Sequence, residues 1–193
     1  MPDRFKQRES GLFVYPGRGW RRLLMRLPLI FWRMGLEPLL RRSHFLVLTT
    51  RGCKSGAARH AMLEHTFHAG AIYVAPGWGE RTQWYRNVLA DPRVTVQRNG
   101  TTFAAVARNV TDPAELAPIY HLVRQSSPVW AQFLESWGVE DTLEDFLAKQ
   151  DRLRTLRLDP IEGAPPLAPL VVDLWYLWLA VPALGFAIYL LVR

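Results

Sequence analysis

Residues 93–110, RVTVQRNGTTFAAVARNV, place two alternating apolar and polar runs around Asn99-Gly100. A period of two is typical of strands with one buried face, and Asn-Gly favours a tight primed turn. The segment therefore predicts an antiparallel hairpin. A second hairpin is predicted where AIYVAPG follows the glycine of HAG, and residues 45–50 and 59–68 are two more short β-rich runs.

Helical signals separate and follow these strands. TQWYRNVLADP predicts a short helix that stops before Pro92, and residues 112–151 predict several helices after a capped start at TDPAEL. Pro118, Pro128 and Gly138 are expected to divide them, and TLRLDP is expected to return as a strand. This order predicts an α+β fold: a closed or half-closed antiparallel barrel with flanking helices that plug one side.

The 193 residues suit one domain with accessories. We expect a basic amphipathic N-terminal segment at 1–42, a barrel domain at 43–160 with a helical insertion at 112–151, a Pro-rich linker at 161–173, and a transmembrane helix at 174–192. Cys53 is the single cysteine, which excludes an internal disulfide and favours a cytosolic catalytic domain.

Residues 1–60 carry 13 Lys or Arg against 3 acidic residues, which predicts a phosphate-bearing partner. Nucleic acid is not expected, because the cations lie among large apolar residues such as Trp20 and Trp32 without a recognition motif. The helical pattern from Trp20 to Leu40, broken at Pro28 and Pro38, predicts either a helix that covers the core or one that lies among lipid headgroups.

Residues 174–192 contain no charge. A helix of this length spans about 28 Å, close to the hydrocarbon thickness of a bilayer. Trp175, Tyr176 and Trp178 stand where an interfacial aromatic belt would form. The favoured prediction is a membrane anchor with the domain on the cytoplasmic side of the cell membrane; the alternative is a terminal helix buried in a core or dimer.

Two loops carry the candidate chemistry. In LVLTTRGCKSGAARH, Gly52 and Gly56 allow backbone amides to approach an anion, while Lys54, Ser55 and Arg59 add charge-assisted donors; the alternative is a solvated turn. In APGWGERTQWYRN, glycines bracket Trp78 ahead of Trp84, an arrangement that suits either a flat ring against the backbone or tryptophans in the core.

A metal site is not expected in HAMLEHTFH. The stretch is predicted as a strand, on which His65 and His68 point to opposite faces, and no pair of histidines has the helical spacing of a zinc protease.

LTTRGCKSGAARH, VAPGWG and WYRNVLADPRVTVQ, taken in this order, resemble the deazaflavin-dependent nitroreductase family, also called quinone reductases. The resemblance covers residues 44–111, about a third of the chain. It implies a split β-barrel of the FMN-binding type and reduced coenzyme F-420 as a two-electron hydride donor, with FMN as the rival cofactor. The cofactor would carry the hydride chemistry while the protein orients it and excludes water.

Carried over by position, the resemblance implies that Lys54, Ser55, Gly56 and Arg59 bind the anionic tail of the cofactor, with Arg51 compensating for Cys53 where an arginine is common. Ala75, Gly77 and Gly79 would pass beside the deazaflavin ring. Trp84 and Asn87 would fix its edge and the neighbouring loop. Because split barrels of this kind often dimerise, a homodimer is one expectation.

The acceptor is not transferable, since Glu64 and His65 replace a tyrosine pair of some members. With a membrane anchor, we expect a lipid-soluble quinone such as menaquinone or a nitro-type acceptor, with His65 or Tyr85 as a proton donor. The alternatives are a non-catalytic deazaflavin, flavin or haem carrier and an FMN-dependent reductase.

Overall fold

The computed structural model describes residues 26–40 and 44–179, together with Pro182 and Tyr189. Its centre is a seven-stranded antiparallel sheet in the order β2-β1-β5-β6-β7-β4-β3. The strands are β1 Phe45–Arg51, β2 Ala58–Glu64, β3 Thr66–His68, β4 Ala71–Val74, β5 Arg93–Arg98, β6 Thr101–Asn109 and β7 Leu156–Pro160. The edge strands β2 and β3 are separated by His65 alone, so the sheet curls until its two edges meet in one bent strand. This is the predicted half-closed barrel.

The predicted hairpins are confirmed. β5 and β6 pair around Asn99 and Gly100, whose φ angles of 52° and 76° are those of a primed two-residue turn. β3 and β4 pair around Ala69 and Gly70, and the predicted strand TLRLDP returns as β7 between β4 and β6.

Two apolar cores share one strand. The barrel core contains Ile72 and Val74 of β4, and the second core, beneath the helical insertion, contains Ala71 and Tyr73. Successive side chains of a strand point to opposite faces, so β4 is buried on both sides. This explains why its sequence, AIYV, shows no polar alternation.

Helices complete the domain: α1 Leu27–Phe31, α2 Glu37–Leu40, α3 Gln83–Ala90, α4 Pro113–Ser126, α5 Trp130–Trp137, α6 Leu143–Ala148 and α7 Gln150–Leu153. A five-residue π-helical stretch, Trp32–Leu36, joins α1 to α2. The prediction of a break at Pro118 is wrong, because α4 continues through it. Proline there removes a single helical hydrogen bond, and the buried side chains of Leu116, Ile119 and Tyr120 hold the helix together.

Residues 161–173, expected as a linker, form no helix or strand but lie against the outer face of β5. The Thr95 hydroxyl donates to the carbonyl of Leu167 at 3.1 Å. The Gln97 side chain donates to the Leu170 carbonyl and accepts from its amide, at 3.0 and 2.7 Å. The segment is therefore attached to the barrel at two points.

The beginning of the predicted membrane segment lies beside the N-terminal helices. Trp175–Leu179 forms a 3-10 helix, in which the Trp178 indole donates to the carbonyl of Met34 at 2.8 Å. Arg33 forms a two-pronged pair with Asp173 at 2.7 and 2.6 Å. Within the described residues, no helix has the length and apolarity to span a bilayer. Most of the predicted segments 1–42 and 174–192, including Trp20, lies outside those residues.

Candidate functional site

The basic turn, residues 51–59, joins β1 to β2 and is shaped by its two glycines. The Gly52 amide donates to the Ala57 carbonyl and the Gly56 amide to the Gly52 carbonyl, both at 2.8 Å. A Cβ on Gly52 would lie 2.9 Å from the Ser55 hydroxyl oxygen and 3.1 Å from the Ala57 carbonyl oxygen. Gly56 has a φ of +67° with open space around the Cβ position. Gly52 is therefore favoured by the lack of space for a side chain, and Gly56 by its left-handed backbone conformation.

The turn presents its cations outward. Lys54, Ser55 and Arg59 are exposed, and the Arg59 guanidinium donates to the Ser55 hydroxyl at 3.3 Å. Arg51 is placed differently: its guanidinium pairs with Asp91 at 3.1 Å. Arg51 is therefore held by Asp91, whereas Lys54 and Arg59 lie on the exposed surface of the turn.

Asn87 of α3 fixes the turn to the barrel. Its carbonyl oxygen accepts from the Cys53 amide at 3.1 Å, and its amide donates to the Thr50 hydroxyl at 2.9 Å. Because Asn87 is buried and both ends of its side chain are engaged, it holds the basic turn against α3.

A cavity of about 250 Å³ lies between the barrel and the helical insertion. Its wall is formed by the end of β2, His65, the beginning of β3, α3, helices α4 to α6, and residues 75–79 after β4, which we call the glycine loop. Most of that wall is apolar and aromatic, with contributions from Trp78, Trp84, Trp130, Phe133 and Phe146.

The cavity brings together part of the predicted ring site. Ala75, Gly77 and Trp84 line it. Gly79 has another role: its φ is +49° and a Cβ there would lie 2.6 Å from the Trp137 ring, so the indole occupies the space. Trp84 and Asn87 are one turn apart on α3, and this helix therefore joins the cavity to the basic turn.

Of the two predicted proton donors, His65 lines the cavity. Tyr85 lies in the barrel core against Trp84, with ring centroids 6.1 Å apart, and burial raises the pKa of its hydroxyl. Tyr85 is therefore directed into the barrel core, away from the cavity.

Carboxylates that the sequence analysis did not identify hold the cavity wall. Asp141 accepts from the Tyr120 hydroxyl and the Trp130 indole at one oxygen, both at 3.0 Å, and pairs with Arg124 at the other. Partial burial opposes ionisation, but these donors hold the pKa of Asp141 below its usual value. Two aromatic side chains of the cavity wall thus share one carboxylate. The sequence did not reveal this arrangement, because its members lie in separate segments that meet only in the folded protein.

A second carboxylate, Glu115 in the first turn of α4, connects the helical insertion to the barrel strands. Glu115 accepts from the Tyr73 hydroxyl at 2.9 Å and from Arg108 and Arg157 at 2.8 and 3.1 Å. At the edge of the cavity, the Ser127 hydroxyl donates to the Glu64 carboxylate at 3.2 Å and so links the helical insertion to β2.

These residues fit the cofactor that the resemblance implies. Two exposed cations and an open glycine suit a phosphodiester with a polyanionic tail. The cavity suits a flat heteroaromatic ring, because the small residues Ala75 and Gly77 in its wall allow a ring to lie close to the backbone. The cavity and the basic turn are both in contact with α3. This arrangement suits a molecule that has a ring at one end and negative charge at the other.

Several solved structures resemble the chain at low identity. An F420-H2-dependent reductase has 22% identity and a TM-score of 0.47, with 61% of this chain and 95% of that one covered. The haem storage protein HutZ of Vibrio cholerae has 19% identity and a TM-score of 0.40, covering 70% and 90%. An FAD-binding protein of Mesorhizobium loti has 14% identity and a TM-score of 0.39, covering 65% and 86%.

No curated protein matches the chain. The sequence profile of the F420H2-dependent quinone reductases matches residues 35–137, more than half of the chain, including the basic turn, the glycine loop, α3 and the two longest helices of the insertion. The chain therefore belongs to the F420H2-dependent quinone reductase family and is a deazaflavin-dependent oxidoreductase with coenzyme F-420 as its cofactor.

Proposed function

We propose that this protein transfers hydride from reduced coenzyme F-420 to a quinone at a membrane surface. The observation that carries the proposal is the continuity, through α3, between a cationic turn and an aromatic cavity. When bound, the cofactor supplies the hydride. The protein binds and orients the cofactor and excludes water from the cavity.

Each part of the site has a distinct task in this proposal. Lys54, Ser55, Gly56 and Arg59 bind the anionic tail. Ala75, Gly77 and Trp84 border the ring. Asn87 keeps the turn and α3 in register through its bonds to Cys53 and Thr50, so that tail and ring are held at a fixed separation.

The chemistry of the wall favours a quinone over a polar acceptor. Trp130, Phe133 and Phe146 give flat apolar surfaces on the side of the helical insertion. The hydroxyls of Tyr73 and Tyr120 are already bound to carboxylates, so they add little polarity to the interior. α5 contributes two of these surfaces, through Trp130 and Phe133.

The membrane part of the proposal rests on the C-terminal region. Trp175, Tyr176 and Trp178 are about half exposed, and they open a run of residues, 174–192, that carries no charge. Trp and Tyr concentrate at membrane interfaces. We infer an anchor that keeps the catalytic domain on the cytoplasmic side, where a lipid-soluble quinone such as menaquinone is at high effective concentration.

The test is reduction of menadione, a soluble quinone, by purified protein with reduced coenzyme F-420. We expect quinone-dependent oxidation of the cofactor, and a nitroaromatic compound of similar size serves as the competing acceptor. Reduced FMN in place of coenzyme F-420 is the cofactor control. Stoichiometric binding of the cofactor without turnover of either acceptor would instead identify a carrier.

A further inference from the structure

The wall of the cavity contains a single carboxylate. Of the wall residues in the described part of the chain, Glu64 is the only aspartate, glutamate, lysine or arginine. Its neighbour His65 is buried, and burial together with the nearby Arg98 cation lowers the pKa of the imidazole to about 4, so this ring is neutral at pH 7. Arg98 binds Nε2 of His65 and is not itself a wall residue. The described wall therefore carries one negative charge.

That charge lies at the rim of the cavity. Glu64 is the last residue of β2 and is exposed, whereas Trp130 and Phe133 deeper in the wall are buried. Its Oε2 accepts a 3.2 Å hydrogen bond from the hydroxyl of Ser127, which is also a wall residue. Because this bond joins β2 to the helical insertion, it holds the carboxylate at the edge of the cavity, beside solvent.

The negative charge of Glu64 is not balanced by a cation. Within residues 26–40 and 44–179, no lysine, arginine or histidine forms a salt bridge with it, and its contact with Ser127 is to a neutral hydroxyl. The carboxylates behind the wall differ in this respect, because Asp141 pairs with Arg124 and Glu115 pairs with two arginines. A ligand at the rim therefore meets the full charge of one carboxylate.

Strand β2 separates this charge from the cations of the basic turn. β2 begins at Ala58, just after Lys54, includes Arg59 and ends at Glu64. At about 3.3 Å per residue, its two ends are roughly 20 Å apart. An anion is attracted to one end of the strand and repelled at the other. The anionic tail of the cofactor is thereby favoured at the turn and disfavoured at the rim.

We propose that Glu64 is a specificity-determining residue, which makes the cavity bind neutral electron acceptors in preference to anionic acceptors of the same size. The inference rests on the proposed function for the class of the acceptor, a quinone. An anion that enters the cavity loses part of its hydration while it faces an unpaired carboxylate, and both effects oppose its binding. Glu64 acts on binding alone and takes no part in hydride transfer.

The first experiment compares two naphthoquinones of nearly equal shape. Menadione carries a methyl group where 2-hydroxy-1,4-naphthoquinone carries a hydroxyl that is ionised at neutral pH. Ligand-observed NMR gives the Kd of each for the full-length protein saturated with oxidised coenzyme F-420. In Glu64→Gln, which retains the shape and the acceptor for Ser127, we expect the hydroxyquinone to bind roughly three- to tenfold more tightly than in wild type, with menadione within twofold.

Two variants separate charge from structure. Ser127→Ala breaks the link across the rim but keeps the carboxylate, and Glu144→Gln removes one charge from the exposed surface of α6. Both should bind the two quinones within twofold of wild type. An unchanged Kd for the hydroxyquinone in Glu64→Gln, equal gains for both quinones, or the same gain in Ser127→Ala would each overturn the proposal.

Salt gives a second measurement that a purely structural role would not affect. High ionic strength screens an exposed charge, so the difference between wild type and Glu64→Gln in affinity for the hydroxyquinone should shrink as salt is added. A difference that is independent of salt, or a wild-type protein that binds neither quinone, would overturn the role of Glu64. A wild-type protein that binds menadione but does not reduce it would instead contradict the proposed function, and the binding series would still decide the inference.

Discussion

The basic turn and the helical insertion hold their parts of the site in opposite ways. The turn is exposed and shaped by backbone hydrogen bonds, and its cations point outward. The helical insertion is buried, with its aromatic residues held by carboxylates and close ring contacts. Removal of a charge from the turn should therefore change cofactor affinity alone, whereas a change in the helical insertion should alter stability and acceptor recognition together.

The largest effect on stability is expected where a glycine of the glycine loop contacts the insertion. Gly79→Ala forces a Cβ to within 2.6 Å of the Trp137 ring at a φ of +49°. We expect a loss of about 2–4 kcal/mol in the free energy of unfolding, from displacement of the ring and from backbone strain. Denaturant titration measures it.

Gly70→Ala is the control, because Gly70 also has a positive φ of +80° but open space at its Cβ. Backbone strain alone should make it about 1 kcal/mol less stable. Equal losses in the two variants would show that the Trp137 contact contributes little.

Removal of one cation from the basic turn should affect cofactor binding and not stability. Lys54→Ala and Arg59→Ala should each weaken the binding of coenzyme F-420 by about 1.5–3 kcal/mol, roughly ten- to a hundredfold, because a charge-assisted contact is lost. Thermal stability should change little, since both side chains are exposed.

Calorimetric titration gives the affinity, and Lys149→Ala, which removes the same charge from the helical insertion, is the control. Affinity within twofold of wild type for both turn variants would exclude the tail site and leave a solvated turn.

Asp141→Asn tests whether a carboxylate of the helical insertion affects both stability and acceptor binding. The variant loses the charge that faces Arg124 and weakens the acceptor shared by Tyr120 and Trp130. We expect a loss of about 1–2 kcal/mol in stability and a several-fold higher KM for menadione, with cofactor affinity unchanged.

The same variant has a pH signature. Because the pKa of Asp141 is lowered in the folded protein, its stabilisation is complete above the ordinary carboxyl pKa of about 3.9 and is lost as the pH falls through the folded value. The stability difference between wild type and Asp141→Asn should therefore be constant from about pH 5 to 7 and shrink in more acid solution. A difference that grows below pH 4 would contradict this assignment.

The smallest effect concerns the tail. A chain without residues 180–193 keeps the contacts of Arg33 with Asp173 and of Trp178 with Met34. It should reduce soluble menadione at the wild-type rate but menaquinone in liposomes several-fold more slowly, because anchoring raises the effective concentration of the lipid substrate. Equal rates on the liposomal substrate would remove the reason for an anchor.

Local signals predicted the barrel side well. The Asn99-Gly100 hairpin, α3 and the basic turn each depend on residues adjacent in sequence, and each is confirmed as an element. The wall of the cavity was not predictable in this way. Tyr120, Trp130 and Asp141 belong to separate segments without a common period, and their convergence depends on how α4 and α5 pack.

Pro118 and Gly79 show the same limit. A proline within a helical pattern usually ends a helix, but three buried neighbours outweigh the lost hydrogen bond in α4. A glycine beside tryptophans suggested space for a ligand ring, and the space belongs to Trp137. In both cases a tertiary contact, invisible to local pattern, decides the outcome.

The position of β4 between the two cores has a thermodynamic consequence. Ile72 and Val74 contribute to one core, and Ala71 and Tyr73 contribute to the other. Because the two cores share β4, displacement of this strand disrupts the packing of both. The barrel and the helical insertion should therefore melt in one cooperative transition rather than two. Local opening of the insertion to admit an acceptor is confined to movements that leave β4 paired with β7.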